Sequence, residues 1–504
     1  MQQCSLKTWQ GKFILLATIL ASGMAFLDGT VVNIAVPTIQ TKLHASLSDI
    51  QWVLNGYMLT FSALLLIGGA LGDRFGRKKI FLLGIATFTL FSFLCGISQT
   101  ITQLIVFRFL QGIGAALMVP GSLSIINSSF QKSNRGTVIG LWSGFAGGVA
   151  ALGPFLGGWL VQTLSWQSIF YINIPIGILA IFTAWRFIPS THDMVKRKLD
   201  FAGTLFILLG LLGITFALIS GSDLGWRNIL VLGSFVAGIL FSVLFVISQR
   251  REKEPLVPLS IFKSQLVVGA NLATLFLYFA LSGVIFFFVL NLQQVQHFSP
   301  INAGLAMLPA ILLITFLSGP AGTLSDKTGP KAPMTIGALI VAAGMASLML
   351  PGTHANYFTG FLPGLVLFGA GMSLVIAPLT KSALTVSTEV SGAASGVNNA
   401  VSRIAGLFAV ALLGAIVLSL FSTNLHQSIN KLSINSLQKQ EVLQQSNRLG
   451  ALEIPQNFDN QTKMQVQNAV ENSFVYGFRV AMGICAALAL LSAIVSFKMI
   501  SSKN

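Results

Sequence analysis

Apolar runs of about 20 residues recur along the whole of this 504-residue chain. Each is long enough to cross a hydrocarbon core of about 30 Å as a helix. Backbone N–H and C=O groups in lipid must find partners within their own segment, so a helix is the natural solution. Only 9% of the residues are charged, against about 25% in a soluble protein, so most of the surface cannot face water. The strand alternation of a membrane barrel is absent. The chain therefore reads as an all-α integral membrane protein. Its first run, from Phe13 to about Val36, follows Lys7 and Lys12 as a signal peptide would. The run is too long for one, contains Asp28, and is followed by many more spans. Cys4, Cys95 and Cys485 are far apart and form no disulfide framework or metal spacing.

Fourteen spans are predicted, starting near Phe13, Ile50, Ile80, Ile101, Thr137, Ser168, Phe201, Ile229, Leu266, Ala303, Pro333, Phe358, Gly392 and Phe474. With the N-terminus inside, the short inward loops collect most of the Lys and Arg, as in Arg74-Phe75-Gly76-Arg77-Lys78-Lys79. The short outward loops hold Lys42 and Arg227. That asymmetry orients the chain, with both termini cytoplasmic. It also accounts for the net charge of +16 without a nucleic-acid partner. A Gln/Asn-rich loop, about 422–473, falls outside and is expected to include a surface helix.

Two inward loops repeat one another. Gly69 to Lys78 reads G-A-L-G-D-R-F-G-R-K, and Gly322 to Lys331 reads G-T-L-S-D-K-T-G-P-K, 253 residues later. Gly69, Asp73, Arg74 and Gly76 recur as Gly322, Asp326, Lys327 and Gly329. Parallel repeats of six-span halves are a transporter architecture. The repeat divides the chain into a first six-helix bundle over 1–190, two inserted spans over 191–252, and a second six-helix bundle over 253–504. Four further stretches stand in order: L-D-G-T-V-V-N-I-A-V-P from Leu27, R-F-L-Q-G-I-G-A-A from Arg108, G-P-F-L-G-G from Gly153, and W-Q-S-I-F-Y-I-N-I-P-I-G from Trp166.

Together these resemble the major facilitator superfamily, and within it the fourteen-span drug:proton antiporters. The resemblance implies two six-helix bundles plus two inserted helices in a cell (inner) membrane. It implies multidrug efflux by alternating access, with protons as the driving ion and no cofactor. Implied partners are the bilayer, lipophilic small molecules and, in a host with an outer membrane, a periplasmic adaptor.

Asp28 is the one acid placed well inside a span. A carboxylate in low dielectric is costly to ionise and can exchange protons, whereas a nearby arginine favours its charge. Arg108 is expected at the same depth, with Gln111 on the same face, and the resemblance gives Arg108 a proton-relay role. In the first repeat loop Gly69, Gly72 and Gly76 allow a turn and close helix approach. There Asp73 can sit at a helix N-terminus, by resemblance that of span thirteen near Gly392, and close the cytoplasmic side. Arg74, Arg77 and Lys78 are at least positive-inside anchors. Relatives place an acid at the inner end of span four as a partner for the loop arginine, where this chain has Asn127. In span five Gly153, Gly157 and Gly158 permit close packing and Pro154 a bend. Arg403 lies near mid-membrane, where it either lines the cavity or bonds unwound backbone, with Asn33 and Asn399 as further cavity candidates.

No phosphate-binding loop and no nucleophile–base pair is found, so an enzyme reading has no footing. Three rivals stay open: a dedicated exporter of one metabolite, siderophore or lipid, a non-transporting receptor, and a symporter. With one deep acid, monocations and neutral or weakly acidic compounds fit better than dications.

Overall fold

The computed structural model describes residues 4–6, 8–189, 199–383, 385 and 391–501, except the side chains of 132–134, 136, 391 and 392. The described residues form helices and connecting turns, with no named strand. The principal helices are α1 (Trp9–Lys42), α2 (Leu47–Phe75), α3 (Arg77–Gly96), α4 (Ile101–Ser129), α5 (Lys132–Thr163), α6 (Asn173–Phe187), α7 (Phe201–Leu224), α8 (Ile229–Arg251), α9 (Gln265–Gln294), α10 (Pro300–Thr328), α11 (Lys331–Ser347), α12 (Leu362–Ala383), α13 (Ser391–Asn430) and α14 (Asn460–Met499). A helical turn, Ser168–Tyr171, leads into α6, and a π-turn, Tyr357–Phe361, leads into α12.

Thirteen helical segments are long and apolar enough to cross a membrane. The remaining expected span, near Pro333, is α11, a shorter apolar helix of 17 residues. At 1.5 Å per residue it spans about 25 Å. Many helices start on side-chain caps. Ser46 and Asp49 close a reciprocal capping box on α2, and Thr8, Thr100, Asp200, Ser264, Ser299 and Asp459 cap α1, α4, α7, α9, α10 and α14. Each cap occupies a backbone N–H that water or lipid would otherwise face.

The repeat appears in the packing. Gly76 and Gly329, one repeat apart, end α2 and α10 with φ of 101° and 81°, a region open to glycine at little cost. Gly84 and Gly337 are also 253 residues apart. A Cβ on Gly84 would meet Met118 N at 2.8 Å, and one on Gly337 would meet Gly371 O at 2.7 Å. These glycines let α3 touch α4 and α11 touch α12. In the Gly69–Lys78 loop, the close approach is made by the neighbouring Gly68, whose Cβ would sit 2.1 Å from Ala116 O. Gly69 and Gly72 have room around them.

The inserted helices α7 and α8 pack on each other through Gly210, Gly213 and Gly238. Leu211 of α7 joins Leu59 and Ala63 of α2 and Leu407 of α13 in one buried cluster. The insert thus covers the seam between the two halves. Gln249 Nε2 donates to Asp200 Oδ2 at 2.6 Å, which ties the end of α8 to the start of α7.

The other seam, between α5 and α10, is not uniform along its length. The two repeat loops lie on one face of the molecule, the loop face. Towards the opposite, far face, the helices touch: a Cβ on Gly158 would lie 2.3 Å from Pro300 O, and one on Gly304 would lie 2.3 Å from Pro154 O. Gly140, Gly144 and Gly147 share the Gly158 face of α5, nearer the loop face. They are exposed, and a Cβ there would meet nothing within 4 Å. The far face carries further cross-links between the halves. Gln293 Nε2 donates to Ile34 O at 2.9 Å and Gln294 Nε2 to Gln40 Oε1 at 3.0 Å.

The expected loop over 422–473 is shorter in the structure, because α13 continues to Asn430 and α14 begins at Asn460. The connection holds a short helix, Ser436–Leu443, and a 3-10 turn, Ser446–Ala451. It lies across the far face, where Gln40 Nε2 donates to Arg448 O at 2.9 Å.

A cysteine pair at Gln162 and Ile301, joined in the structure by a 3.2 Å bond from Ile301 N to Gln162 Oε1, is expected to react with a short thiol cross-linker. A pair at Gly144 and Thr315 is expected to stay open. Equal cross-linking of both pairs in the ligand-free protein would contradict the one-sided seam.

Candidate functional site

The first bundle brings Asp28, Arg108 and Gln111 together, all essentially sealed from the exterior. Arg108 Nη1 donates to Asp28 Oδ2. Gln111 Nε2 donates to Asp28 Oδ1 at 3.0 Å, so both carboxylate oxygens are engaged. Arg108 Nη1 also donates to Gln111 Oε1 at 2.8 Å, and Arg108 Nε to Val53 O at 3.0 Å. The guanidinium lies over the Tyr57 ring, 4.3 Å from its centroid. Tyr57 OH donates to Ala25 O at 3.0 Å, which fixes that ring against α1. Arg108 and Gln111 sit three residues apart on α4, the spacing that points two side chains to one face. Helix α1 continues past its apolar run, through Pro37 to Lys42.

Span five supports this site from behind. Pro154 has no N–H, so the Ala150 carbonyl one turn earlier loses its intrahelical donor. Thr30 Oγ1, two residues from Asp28, donates to that carbonyl at 3.1 Å. Gly153 makes room, since a Cβ there would lie 2.0 Å from Thr30 Oγ1, and Gly157 faces Val31. The G-P-F-L-G-G stretch therefore locks α5 to the Asp28 segment of α1 and, through Gly158, to the other half.

In the first repeat loop, Asp73 Oδ1 accepts from Arg77 Nε at 3.0 Å. Arg77 Nη1 donates to Ser124 O of α4 at 3.3 Å. A carbonyl on α4 thus receives the arginine, on the helix where relatives place an acid and this chain has Asn127. Lys78 Nζ donates to Trp185 O at 2.7 Å, and Arg74 lies over the Phe75 ring. The surroundings of Gly392, the expected dock for Asp73, lie outside the described residues. In the second loop Lys381 Nζ of α12 donates to Asp326 Oδ1 at 2.7 Å. Each loop is thus tied to the fourth helix of its own bundle. Lys327 is exposed, and a Cβ on Gly322 would lie 3.4 Å from the Ala377 side chain, an ordinary contact distance.

A cavity of about 60 Å³ lies between the halves beside Arg108. Asn33 and Asn55 from the first half and Ser282 and Val410 from the second are among its walls. Arg403 stacks on Phe61 at 3.8 Å from the ring centroid and lies 5.7 Å from that of Phe26. Asn399 is exposed and donates to Ser395 O within its own helix. The next residue towards the N-terminus, Asn398, is the one that reaches across, donating to Thr274 Oγ1 at 2.8 Å.

Two features escaped the sequence reading. Asn55 is fully buried with both amide atoms unbonded. Glu471, near the far face on α14, is a second buried carboxylate, bonded by His297 at 2.9 Å. An Asn in an apolar run carries no signal of which face it takes. Glu471 lies before Phe474, where the apolar pattern begins.

The sequence matches the model of the Major Facilitator Superfamily over residues 18–410. The chain belongs to this superfamily. It is 30% identical over 489 residues to the tetracenomycin C resistance and export protein of Streptomyces glaucescens, covering 96% of this chain and 90% of that one. It is 28% identical to the multidrug resistance protein Stp of Mycobacterium tuberculosis, with coverages of 94% and 89%. A methylenomycin A resistance protein of Bacillus subtilis is 41% identical, over 61% of this chain and 66% of that one. Among solved structures, a bacterial homologue of the human lysosomal transporter Spinster in an inward-facing, unoccupied conformation superposes with a TM-score of 0.66 at 18% identity, covering 99% of this chain and 100% of that one. The facilitator is thus a multi-pass membrane transporter whose relatives are drug and antibiotic resistance proteins.

Breaking a buried ion pair by removing one partner costs about 3–5 kcal/mol, whereas replacing both with apolar groups is often near neutral. Arg108→Met alone is expected to lower the apparent melting temperature in detergent strongly. The pair Asp28→Leu with Arg108→Met is expected to recover most of that loss. Equal melting of the single and double variants would show that the two charges do not support each other.

Proposed function

We propose that this facilitator exports lipophilic small molecules in exchange for protons, with Asp28 as the proton-carrying group. The observation that carries this reading is the Asp28–Arg108–Gln111 network. Among the described residues Asp28 is the one acid buried in the middle of an apolar run; the buried Asp200 caps α7, and the buried Glu471 precedes the apolar part of α14. In low dielectric an ionised carboxylate needs its partners, so its charge and their positions are coupled. Arg108 and Gln111 hold both oxygens, and a change that withdraws either donor removes a partner of that charge. Arg108 and the Tyr57 ring beneath it both line the cavity, so a bound molecule can act on how Asp28 is held.

The loop face is the cytoplasmic one, because it carries the basic loops. The α5–α10 seam, open towards that face and closed on the far one, supports an inward-facing state. Export then requires the far face to open, with the Gly158–Pro300 contact and the Gln40–Gln294 bond among those that must part. The two repeat loops would seal the opposite side in that second state, with Asp73 as a gate residue.

Relatives named for one antibiotic stand beside relatives named for multidrug resistance, so a dedicated exporter is the second reading. Efflux of a panel of lipophilic cations, neutral compounds and weak acids from energised cells separates the two. The proposal expects several unrelated compounds to be extruded and an uncoupler to abolish extrusion. Protection against one compound alone would favour the dedicated exporter. Extrusion that persists without a proton gradient would contradict proton coupling.

A further inference from the structure

The middle of the molecule carries an uncompensated positive charge. Asp28 contributes one negative charge there, and Arg108 and Arg403 contribute two positive ones. Asp28 is fully engaged by Arg108 and Gln111. Arg403 forms no ion pair with any described acid, and its Nε is buried without a hydrogen-bond partner. The phenols Tyr57 and Tyr278 are the titratable groups that act on it, and ordinary phenols are neutral at physiological pH. Stacking on Phe61 recovers part of the hydration that the half-buried guanidinium loses, but it supplies no negative charge to offset the cation.

A second observation lies on the adjoining cavity wall. Asn55 is 0% exposed, and neither its Nδ2 nor its Oδ1 has a partner. It lines the cavity with Asn33, Arg108 and Ser282. A buried amide left without hydrogen bonds is itself unfavourable. Asn55 and Phe61, the ring beneath Arg403, are six residues apart on α2, about 9 Å along the helix axis. Arg403 is therefore nearer the loop face and Asn55 nearer the closed end. Between them on α2 stands Met58, and Ile285 of α9 is a further apolar wall of the cavity. That is a cation, an apolar stretch and a hydrogen-bonding amide in sequence.

We propose that Arg403 docks the anionic group of a transported amphipathic organic acid, a carboxylate or ionised phenol, and that Asn55 bonds a polar group on its lipophilic body. The inference deepens the export reading above and rests on it. It also states an electrical consequence. If one proton enters through Asp28 for each monoanion that leaves, two positive charges move inward per cycle. The same exchange against a monocation moves none.

The test uses the purified full-length protein and three probes with one hydroxyl-bearing aromatic body: hydroxynaphthylacetate, its methyl ester, and hydroxynaphthylmethyl trimethylammonium. Equilibrium dialysis measures binding to the parent, Arg403→Gln, Arg403→Lys and Asn55→Ala. A charge-assisted bond is worth about 1.5–3 kcal/mol, or roughly 10- to 100-fold in affinity. The parent is expected to bind the acid at least tenfold more tightly than the ester or the ammonium. R403Q is expected to lose that preference while still binding the ester, and R403K to retain most of it. N55A is expected to weaken binding of the acid and the ester alike. In proteoliposomes an inside-negative potential, oriented as in the cell, should drive export of the acid and leave the ammonium unaffected. Equal or tighter binding of the ester or ammonium by the parent would overturn the proposal, as would unchanged acid binding by R403Q. Loss of all three probes together with the melting transition in R403Q would assign Arg403 a structural role and also overturn it. Binding that follows the proposal, with no efflux of any compound from cells, would instead overturn the export reading alone.

Discussion

A carboxylate in hydrocarbon must be either protonated or held, and Asp28 is held on both oxygens. The rest of the first bundle is arranged around that requirement. Arg108 and Gln111 need α4 to lie close to α1 and α2, and Gly112 permits it, since a Cβ there would lie 2.4 Å from Tyr57 O. Tyr57 then covers the guanidinium, and Val53 supplies the carbonyl that orients it. A water-filled site could do without such packing. In lipid, each missing donor would leave charge exposed to a medium that cannot solvate it.

The same economy of partners joins the site to the seam between the halves. Thr30 spans the carbonyl that Pro154 leaves free, two residues from Asp28, and the next turn of α5 lies against Pro300 of α10. Motion of α5 against α10 thus reaches the Asp28 segment through one hydroxyl and two glycines. This is a contiguous mechanical connection between the Asp28 segment and the seam between the halves. The far-face cap over 431–459 adds a latch that belongs to the second half and reaches the first through Gln40.

Much of this was legible in the residues. Apolar runs located the spans, the repeated loop located the two bundles, and a lone acid with an arginine expected at its depth located the central pair. Hydropathy follows apolar content and is blind to helices that continue into polar sequence. It therefore ended α13 and started α14 too near the membrane, and left Glu471 in a loop. Spacing within a loop does not reveal which glycine meets a neighbour, so Gly68 was passed over for Gly69. Besides its ion pair with Asp73, Arg77 reaches the Ser124 backbone carbonyl on α4, a contact that no pattern of side chains announces. Asn55 and Arg403 look alike in sequence, as polar residues inside apolar runs. The coordinates separate them from Asn33, Asn398 and Gln111 because those have bonds to neighbouring groups.

The central claim is that Asp28 carries the proton that substrate displaces. The most direct measurement is proton release from purified protein in weakly buffered detergent when a transported compound is added, for the parent and Asp28→Asn. The account predicts release of about one proton per bound molecule from the parent, at a pH where Asp28 is protonated, and none from D28N that still binds. Release of the same size from D28N would place the exchanging proton on another group and contradict the account.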